Sequence, residues 1–300
     1  MRINKKIISG ILATLTACTL ISCSKNISND ILPSEPENIT TQNTLTDPPP
    51  AEIKFGFKLN SGAKKAKYDL KAGINKEEKV DLREFCSPIG NQGSLGSCTA
   101  FAMGRGLREF LMIRDKKPLV PLSPLFLYYN ERKIDGTINE DAGSTMATGM
   151  KALKETGDCP ETLWSYNTWK FKKEPPKEAY ESGVQYEISD AKNLDGLQAI
   201  KDELAKKNPV VFGFYVYSSF MNSSHGIIPV PDIKTEKLMG GHAVMAVGYD
   251  DAKNVLIMRN SWGKGWGDQG YFYMPYEYFK LALVEDVWTG SAVTAKKRKR

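Results

Sequence analysis

The apolar pattern of this chain changes period once, near Pro209, and any fold it adopts must accommodate both parts. Upstream, apolar residues recur at helical spacing behind recognisable helix starts. Phe101, Leu107, Phe110 and Leu111 follow Ser97-Cys98. Ser123-Pro124 opens a run through Leu125, Phe126 and Tyr129, with proline at a first helical position. Ser144 precedes Met146, Met150 and Leu153, which Gly157 terminates, and Asp195 precedes Leu197, Ile200 and Leu204. Downstream come β-type runs at Val210–Tyr217, Ala243–Tyr249, Val255–Met258 and Gly270–Met274. A helical block followed by a β block predicts an α+β protein of two lobes with a cleft between them, where ligands commonly sit.

The helical block opens with Gln92-Gly93-Ser94-Leu95-Gly96-Ser97-Cys98-Thr99-Ala100-Phe101, a glycine-punctuated turn that delivers a cysteine onto the first turn of a helix. Ser97 is a good N-cap residue, so the thiol would lie where backbone N–H groups point outward unpaired. A free cysteine has a pKa of about 8.5, and a helix N-terminus with a nearby cation lowers it to roughly 3.5–7.5. Cys98 therefore reads as a nucleophile, against the plainer reading of a buried structural cysteine.

A nucleophilic cysteine needs a base, and the chain holds only two histidines, His225 and His242. His225 lies in a polar loop, Asn222-Ser223-Ser224-His225-Gly226, and is expected to be an ordinary exposed residue. His242 follows Gly240-Gly241 and opens a strand. A polar turn centred on Asp251 joins that strand to Val255–Asn260 as an antiparallel hairpin, which sets His242 opposite Asn260 to within a residue or so. Cross-strand neighbours are about 4.5–5.5 Å apart at Cβ, so Asn260 could accept from one ring nitrogen and leave the other for Cys98.

These three blocks, Gln92–Phe101, Gly240–Tyr249 and Asn260-Ser261-Trp262-Gly263 through Trp266-Gly267 and Gly270-Tyr271, together resemble the signature blocks of papain-like cysteine peptidases, in family order, over roughly residues 80–290. The cysteine-to-histidine interval of 144 residues lies in the range of that family. The resemblance implies a papain-like fold, a helical lobe carrying the cysteine against a β-rich, barrel-like lobe carrying histidine and asparagine. It implies a thiol endopeptidase in which Cys98 forms an acyl-enzyme, His242 moves the proton, Asn260 orients the imidazole, and Trp262 shields that hydrogen bond. Gln92 and the Cys98 N–H would form the oxyanion hole. Gly143, with Gly241 and Ala243 flanking the histidine, would touch substrate, and no cofactor or metal is called for.

Departures from the family pattern matter as well. Leu95 stands where the family has a first cysteine, Thr99 where it has an aromatic residue, and Gly241 where Asp or Asn is frequent. With that cysteine missing, and Cys23 and Cys98 otherwise assigned, Cys86 and Cys159 become natural disulfide partners in an oxidising exterior. Two other readings compete with the peptidase. Transglutaminase-like acyl transfer typically orients its histidine with aspartate, so Asn260 disfavours it. A non-catalytic binding module would not require Gln92, Cys98, His242 and Asn260 together.

Ahead of the domain, Arg2, Lys5 and Lys6 precede an apolar run from Ile7 to Ile21, too short for the ~20 residues of a membrane span. Residues 1–22 read as a secretory signal peptide. Leu20-Ile21-Ser22-Cys23 resembles a bacterial lipobox, which makes Cys23 the lipidated residue of a bacterial lipoprotein-type precursor. Residues 23–50 carry no aromatic residue and end in three prolines, a tether of about 30 Å reach that cannot fold alone. Residues 51–79 are expected to be an N-terminal segment that packs on the domain or acts as a short propeptide. The peptidase domain is assigned to 80–291 and a basic tail to 292–300. The net charge of +6 is outweighed by the basic residues at the two ends, so the body is slightly acidic and offers no nucleic-acid footprint. The expected protein is a monomer at the bacterial cell envelope, acting on peptides or proteins and touching a bilayer through its anchor.

Overall fold

The computed structural model describes residues 53–70 and 77–292. The expected signal peptide, Cys23, the tether and the basic tail beyond Ala292 lie outside the described residues, as do residues 51–52 and 71–76 of the N-terminal segment.

Two layers meet along one contiguous apolar core. The helical layer starts with α1 (Cys98–Ala100), which runs on without a break through a π-helical stretch (Phe101–Arg108) into α2 (Glu109–Arg114). Phe110, Leu111 and Leu107 are fully buried along it. The wider π turns are a recurrent companion of functional sites. Next come α3 (Pro124–Ile134), α4 (Met146–Glu155) and α5 (Lys177–Gly183). Ser123 caps α3 as its sequence predicts, accepting from Phe126 N–H at 3.1 Å. At α4 the cap is Thr145 rather than Ser144: its hydroxyl takes Thr148 N–H at 3.0 Å, while Ser144 pairs elsewhere. Ser97 does not cap α1, because its hydroxyl is taken by Tyr166 at 2.6 Å.

The β layer is a seven-stranded sheet ordered β2-β7-β3-β4-β5-β6, with β1 (Lys79–Asp81) on β4. Its strands are β2 (Ile188–Asn193), β3 (Val210–Tyr217), β4 (Leu238–Asp250), β5 (Val255–Arg259), β6 (Tyr271–Pro275) and β7 (Val284–Ala292). Helix α6 (Leu197–Ala205) packs on β3 and β4, and the short α7 (Glu277–Lys280) precedes β7. The four strands read from sequence are present. β1, β2 and β7 are not legible there, because β7 buries Glu285 and Asp286 in place of apolar residues. Those carboxylates are satisfied by Tyr215 Oη and Lys65, and by Ala147 N–H and Trp288 Nε1.

Residues 53–70 lie as a strap across both layers. Lys58 N–H donates to Ser144 O and Ser144 N–H to Gly56 O, a parallel bridge on the helical side. Phe57 N–H donates to Gly241 O on the β side. Further along, Ala66 N–H meets Val284 O, and Lys67 O takes Leu197 N–H. The strap also supplies the cap of α6. Asp69 Oδ1 accepts Gln198 N–H at 2.9 Å, whereas Asp195, the residue expected there, pairs with Lys67 at 2.8 Å. Losing a helix cap costs about 0.5–2 kcal/mol. Asp69→Ala should lower stability by that order in urea unfolding. An unchanged midpoint would show that the strap does not support α6.

Candidate active site

The loop ahead of α1 is clamped to the β layer by backbone and side chain alike. Gln92 N–H donates to Ser261 O at 2.8 Å and Gly263 N–H to Gly90 O at 2.9 Å. The buried Arg259 guanidinium donates to Ser87 O (2.5 Å) and Pro88 O (3.1 Å). Asp141 holds the other side of the turn, accepting Gly96 N–H at 3.1 Å and Tyr128 Oη at 2.5 Å. Cys98 thus starts α1 fully buried, facing β4. The backbone N–H groups of Ala243, Gly56 and Thr99 are directed at its thiol.

His242 and Asn260 come together as expected, by a different register. The β4–β5 pairing runs Asp250↔Val255 to Gly248↔Ile257, then shifts to Met245↔Arg259. The turn is centred between Ala252 and Lys253 rather than on Asp251, and Asn260 lies just beyond the end of β5. The bulge between Ala246 and Gly248 shifts the pairing by one residue, and Asn260 leaves the ladder beyond Arg259. His242 Nε2 lies 2.8 Å from Asn260 Oδ1, which also accepts Ser261 N–H at 2.8 Å. An oxygen already accepting one N–H requires Nε2 to be the donor, so a neutral ring carries its lone pair on Nδ1. Nδ1 has no hydrogen-bond partner among the described residues. Trp262 stacks on the imidazole at 4.7 Å between centroids, backed by Trp266 and Phe220. His225 lies apart, exposed.

Gln92 is fully buried, and its amide is oriented by a residue that sequence reasoning missed. Ser261 Oγ donates to Gln92 Oε1 at 2.6 Å, which turns Nε2 outward to donate to Leu95 O (3.0 Å) and to the strap's Lys54 O (3.1 Å). Tyr166 is a second omission, bonding Gln92 O and Ser97 Oγ. Neither carried a sequence signal beyond adjacency to the asparagine, in the case of Ser261. Asp141, two residues before Gly143, is the pivot of that side.

All three expected substrate-contact residues meet the strap or the thiol. Gly143 has a φ of +68°, and a Cβ there would stand 2.0 Å from Gly56 O. Gly241 O holds Phe57 N–H, and Ala243 N–H meets the thiol. Phe57 fills a pocket whose floor is Gly213, where a Cβ would fall 2.1 Å from the ring. Phe55 leans edge-on to His242 and Trp262, and Lys54 pairs with Asp141 at 2.6 Å. Cys86 and Cys159, expected as a disulfide, are separate free thiols. Cys86 lies beside Arg259 and Tyr271, whereas Cys159 belongs to the helical layer beside Asp158 and Ser123.

Under the strap the pair is neutral, contrary to the thiolate that a helix N-terminus alone would favour. Burial pushes the Cys98 thiol up to about 11, only partly offset by the three N–H groups. Burial also brings His242 down to about 4, with the Asn260 bond acting weakly the other way.

A cysteine buried at the start of a helix that packs on the strand of His242, an imidazole held by asparagine, and a donating glutamine amide are thus gathered at one seam. Comparison with known proteins gives the family: the profile described as "Papain family cysteine protease" matches residues 76–287. An uncharacterized peptidase C1-like protein of Acanthamoeba polyphaga mimivirus is 38% identical over 252 residues, covering 79% of each chain. A cathepsin B-like protein of Giardia intestinalis is 33% identical over 210 residues, 65% of this chain and 68% of its own. Among solved structures, xylellain, a cysteine protease from Xylella fastidiosa, superposes with a TM-score of 0.68 at 35% identity, over 80% of this chain and 96% of its own. The chain belongs to the papain family of cysteine proteases and is a cysteine-type peptidase with the α+β papain fold.

The two shifts have opposite consequences along the pH axis. Neutral His242 stabilises the covered state fully above its ordinary pKa of about 6.5, and that stabilisation is lost as pH falls toward about 4. Clipping of residues 53–70 by an added protease should therefore accelerate between pH 7 and pH 4.5. Alkylation of Cys98 by iodoacetamide in the intact chain should instead rise about tenfold per unit from pH 7 to 10, following a thiol near 11. A fast alkylation rate that is flat above pH 7 would show a preformed thiolate.

Proposed function

We propose that Cys98, His242, Asn260 and Gln92 carry out peptide-bond hydrolysis by an acyl-enzyme route, and that residues 53–70 hold the site closed until displaced. The observation that carries this is the oriented imidazole, whose Nε2 is committed to Asn260 and whose Nδ1 is left unpartnered on the strand that reaches the thiol. Once water and substrate replace the strap, Nδ1 takes the Cys98 proton and the thiolate attacks the scissile carbonyl carbon. The carbonyl oxygen gains charge within reach of Gln92 Nε2 and the Cys98 N–H. The imidazolium then gives its proton to the departing amine, leaving a thioester. Water, deprotonated by His242, attacks that thioester, releasing the acid and restoring the thiol. Loss of one oxyanion donor typically costs about 10²–10³ in rate.

The strap supports the inhibitory reading by occupying the positions a substrate needs. Its Lys54 carbonyl takes the Gln92 amide, and an N–H of Gly56 is directed at the sulfur. Its Phe57 side chain favours an aromatic residue in the Gly213 pocket when substrate replaces it, since burying such a ring contributes about 1.5–3 kcal/mol. With the purified chain and a peptide library, Cys98→Ala and His242→Ala should abolish cleavage, His225→Ala should leave it intact, and products should show an aromatic preference at one subsite. Hydrolysis that persists in Cys98→Ala would overturn the assignment.

Export and anchoring rest on residues 1–50: a basic start, a short apolar run and Leu20-Ile21-Ser22-Cys23. The proposal is a lipoprotein held at the bacterial cell envelope through Cys23. A labelled fatty acid fed to expressing cells should tag the wild-type chain and leave Cys23→Ala unlabelled; equal labelling of both would refute the anchor.

A further inference from the structure

Thr99 stands directly after the nucleophile where family members carry an aromatic residue, and the structure gives it a specific partner. Its hydroxyl donates to Glu131 Oε2 at 2.6 Å, joining the first turn of α1 to the middle of α3. Both residues are fully buried. Glu131 makes no ion pair within 4 Å among the described residues, and its second oxygen, Oε1, has no hydrogen-bond partner. Oε1 lies over α4, where a Cβ on Gly149 would stand 2.7 Å from it and 1.8 Å from the Met103 methyl. A carboxylate with one bare oxygen against a glycine and a methionine is costly, whereas a carboxylic acid is tolerated there.

The charged groups that act on Glu131 come from three places. Asp135 lies one turn on in α3, Arg132 is its neighbour, and Lys58 belongs to the strap. Burial dominates all of them and raises Glu131 to about 8. Lys58 acts in the lowering direction, so its removal with the strap leaves the acid more firmly protonated. The coupling to the nucleophile is unfavourable when Glu131 is charged, because its negative charge raises the Cys98 thiol.

We propose that Thr99 and Glu131 are a buried positioning pair for Cys98, in which a neutral carboxylic acid fixes the first turn of the nucleophile's helix without placing a negative charge beside the thiolate. This inference rests on Cys98 being the nucleophile, which Cys98→Ala tests separately through loss of all turnover.

The experiment uses the full-length chain, with peptide hydrolysis and iodoacetamide alkylation of Cys98 measured from pH 5 to 10. Glu131→Gln keeps the size and the bond to Thr99 but cannot ionise. It should retain kcat within about threefold at pH 7 and keep a several-fold larger share of its peak activity at pH 9 than the wild type. Glu131→Leu and Thr99→Val should each lower kcat at least tenfold with KM little changed, their double variant no worse than either alone, and Thr99→Ser should restore activity. An infrared difference spectrum between wild type and Glu131→Gln should contain a carboxylic-acid carbonyl band at pH 6.5 that bleaches on raising the pH past 8. The inference is overturned if Glu131→Gln is as damaging as Glu131→Leu, if its alkaline limb coincides with that of the wild type, or if the band is absent.

Discussion

The short clasp between residues 90–92 and 261–263 is the contact on which the rest of the site depends. One lobe supplies Gln92 and Cys98, the other His242 and Asn260, and backbone and side-chain bonds across this seam fix their relative position. Ser261 stands at the centre of it. Its carbonyl takes Gln92 N–H, its hydroxyl orients the Gln92 amide, and its own N–H fills one acceptor site of Asn260 Oδ1. A single residue therefore sets both the orientation of the Gln92 amide and the histidine tautomer. The Arg259 guanidinium one turn of logic earlier serves the same end, pinning Ser87 and Pro88 so that the loop enters the clasp at a fixed height.

Against that fixed frame the strap works by dehydration as much as by obstruction. Burial raises the Cys98 thiol and lowers the His242 imidazole, and both shifts favour the neutral forms over a thiolate and an imidazolium. Opposite charges in the pair would attract, but taking two ions out of water costs more than their attraction returns unless further hydrogen bonds complete the site.

Much of this was legible in the sequence where one residue type had one job. Two histidines left little choice of base, and the helical and β blocks appeared in the order and at the places that Leu204 and Val210 suggested. The register was misjudged by two to three residues of pairing because the turn, which looked centred on Asp251, is centred between Ala252 and Lys253, and the bulge between Ala246 and Gly248 recovers only one of them. Strand β7 escaped notice because its buried Glu285 and Asp286 read as solvent-facing until their partners on the strap and α4 are known. Caps went to Thr145 and to Asp69 in place of Ser144 and Asp195, since several eligible side chains compete at each helix start and only tertiary contacts choose among them. The absent Cys86–Cys159 bond has the same origin: counting leftover cysteines says nothing about distance, and the two belong to different layers.

The contacts that organise the site are also separable from those that close it. Asn260 to His242, Ser261 to Gln92, and Asp141 to Gly96 and Tyr128 each join residues outside the strap. What the strap contributes is added on top: Lys54 on Asp141, Lys54 O on Gln92 Nε2, Gly56 N–H on the thiol, and Phe57 over Gly213. Removing it returns one amide donor to Gln92 and one carboxylate oxygen of Asp141 to solvent, while every orienting bond keeps both partners. Preorganisation therefore does not have to be rebuilt on opening; what opening gives up is the apolar surface of Phe55 and Phe57, the strap's backbone bonds to Ser144, Gly241, Val284 and Leu197, and the ion pairs of Lys54, Lys58 and Lys65. Within that set Phe57 is the most deeply buried of the strap's aromatic rings, seated against Gly213 where no Cβ intervenes.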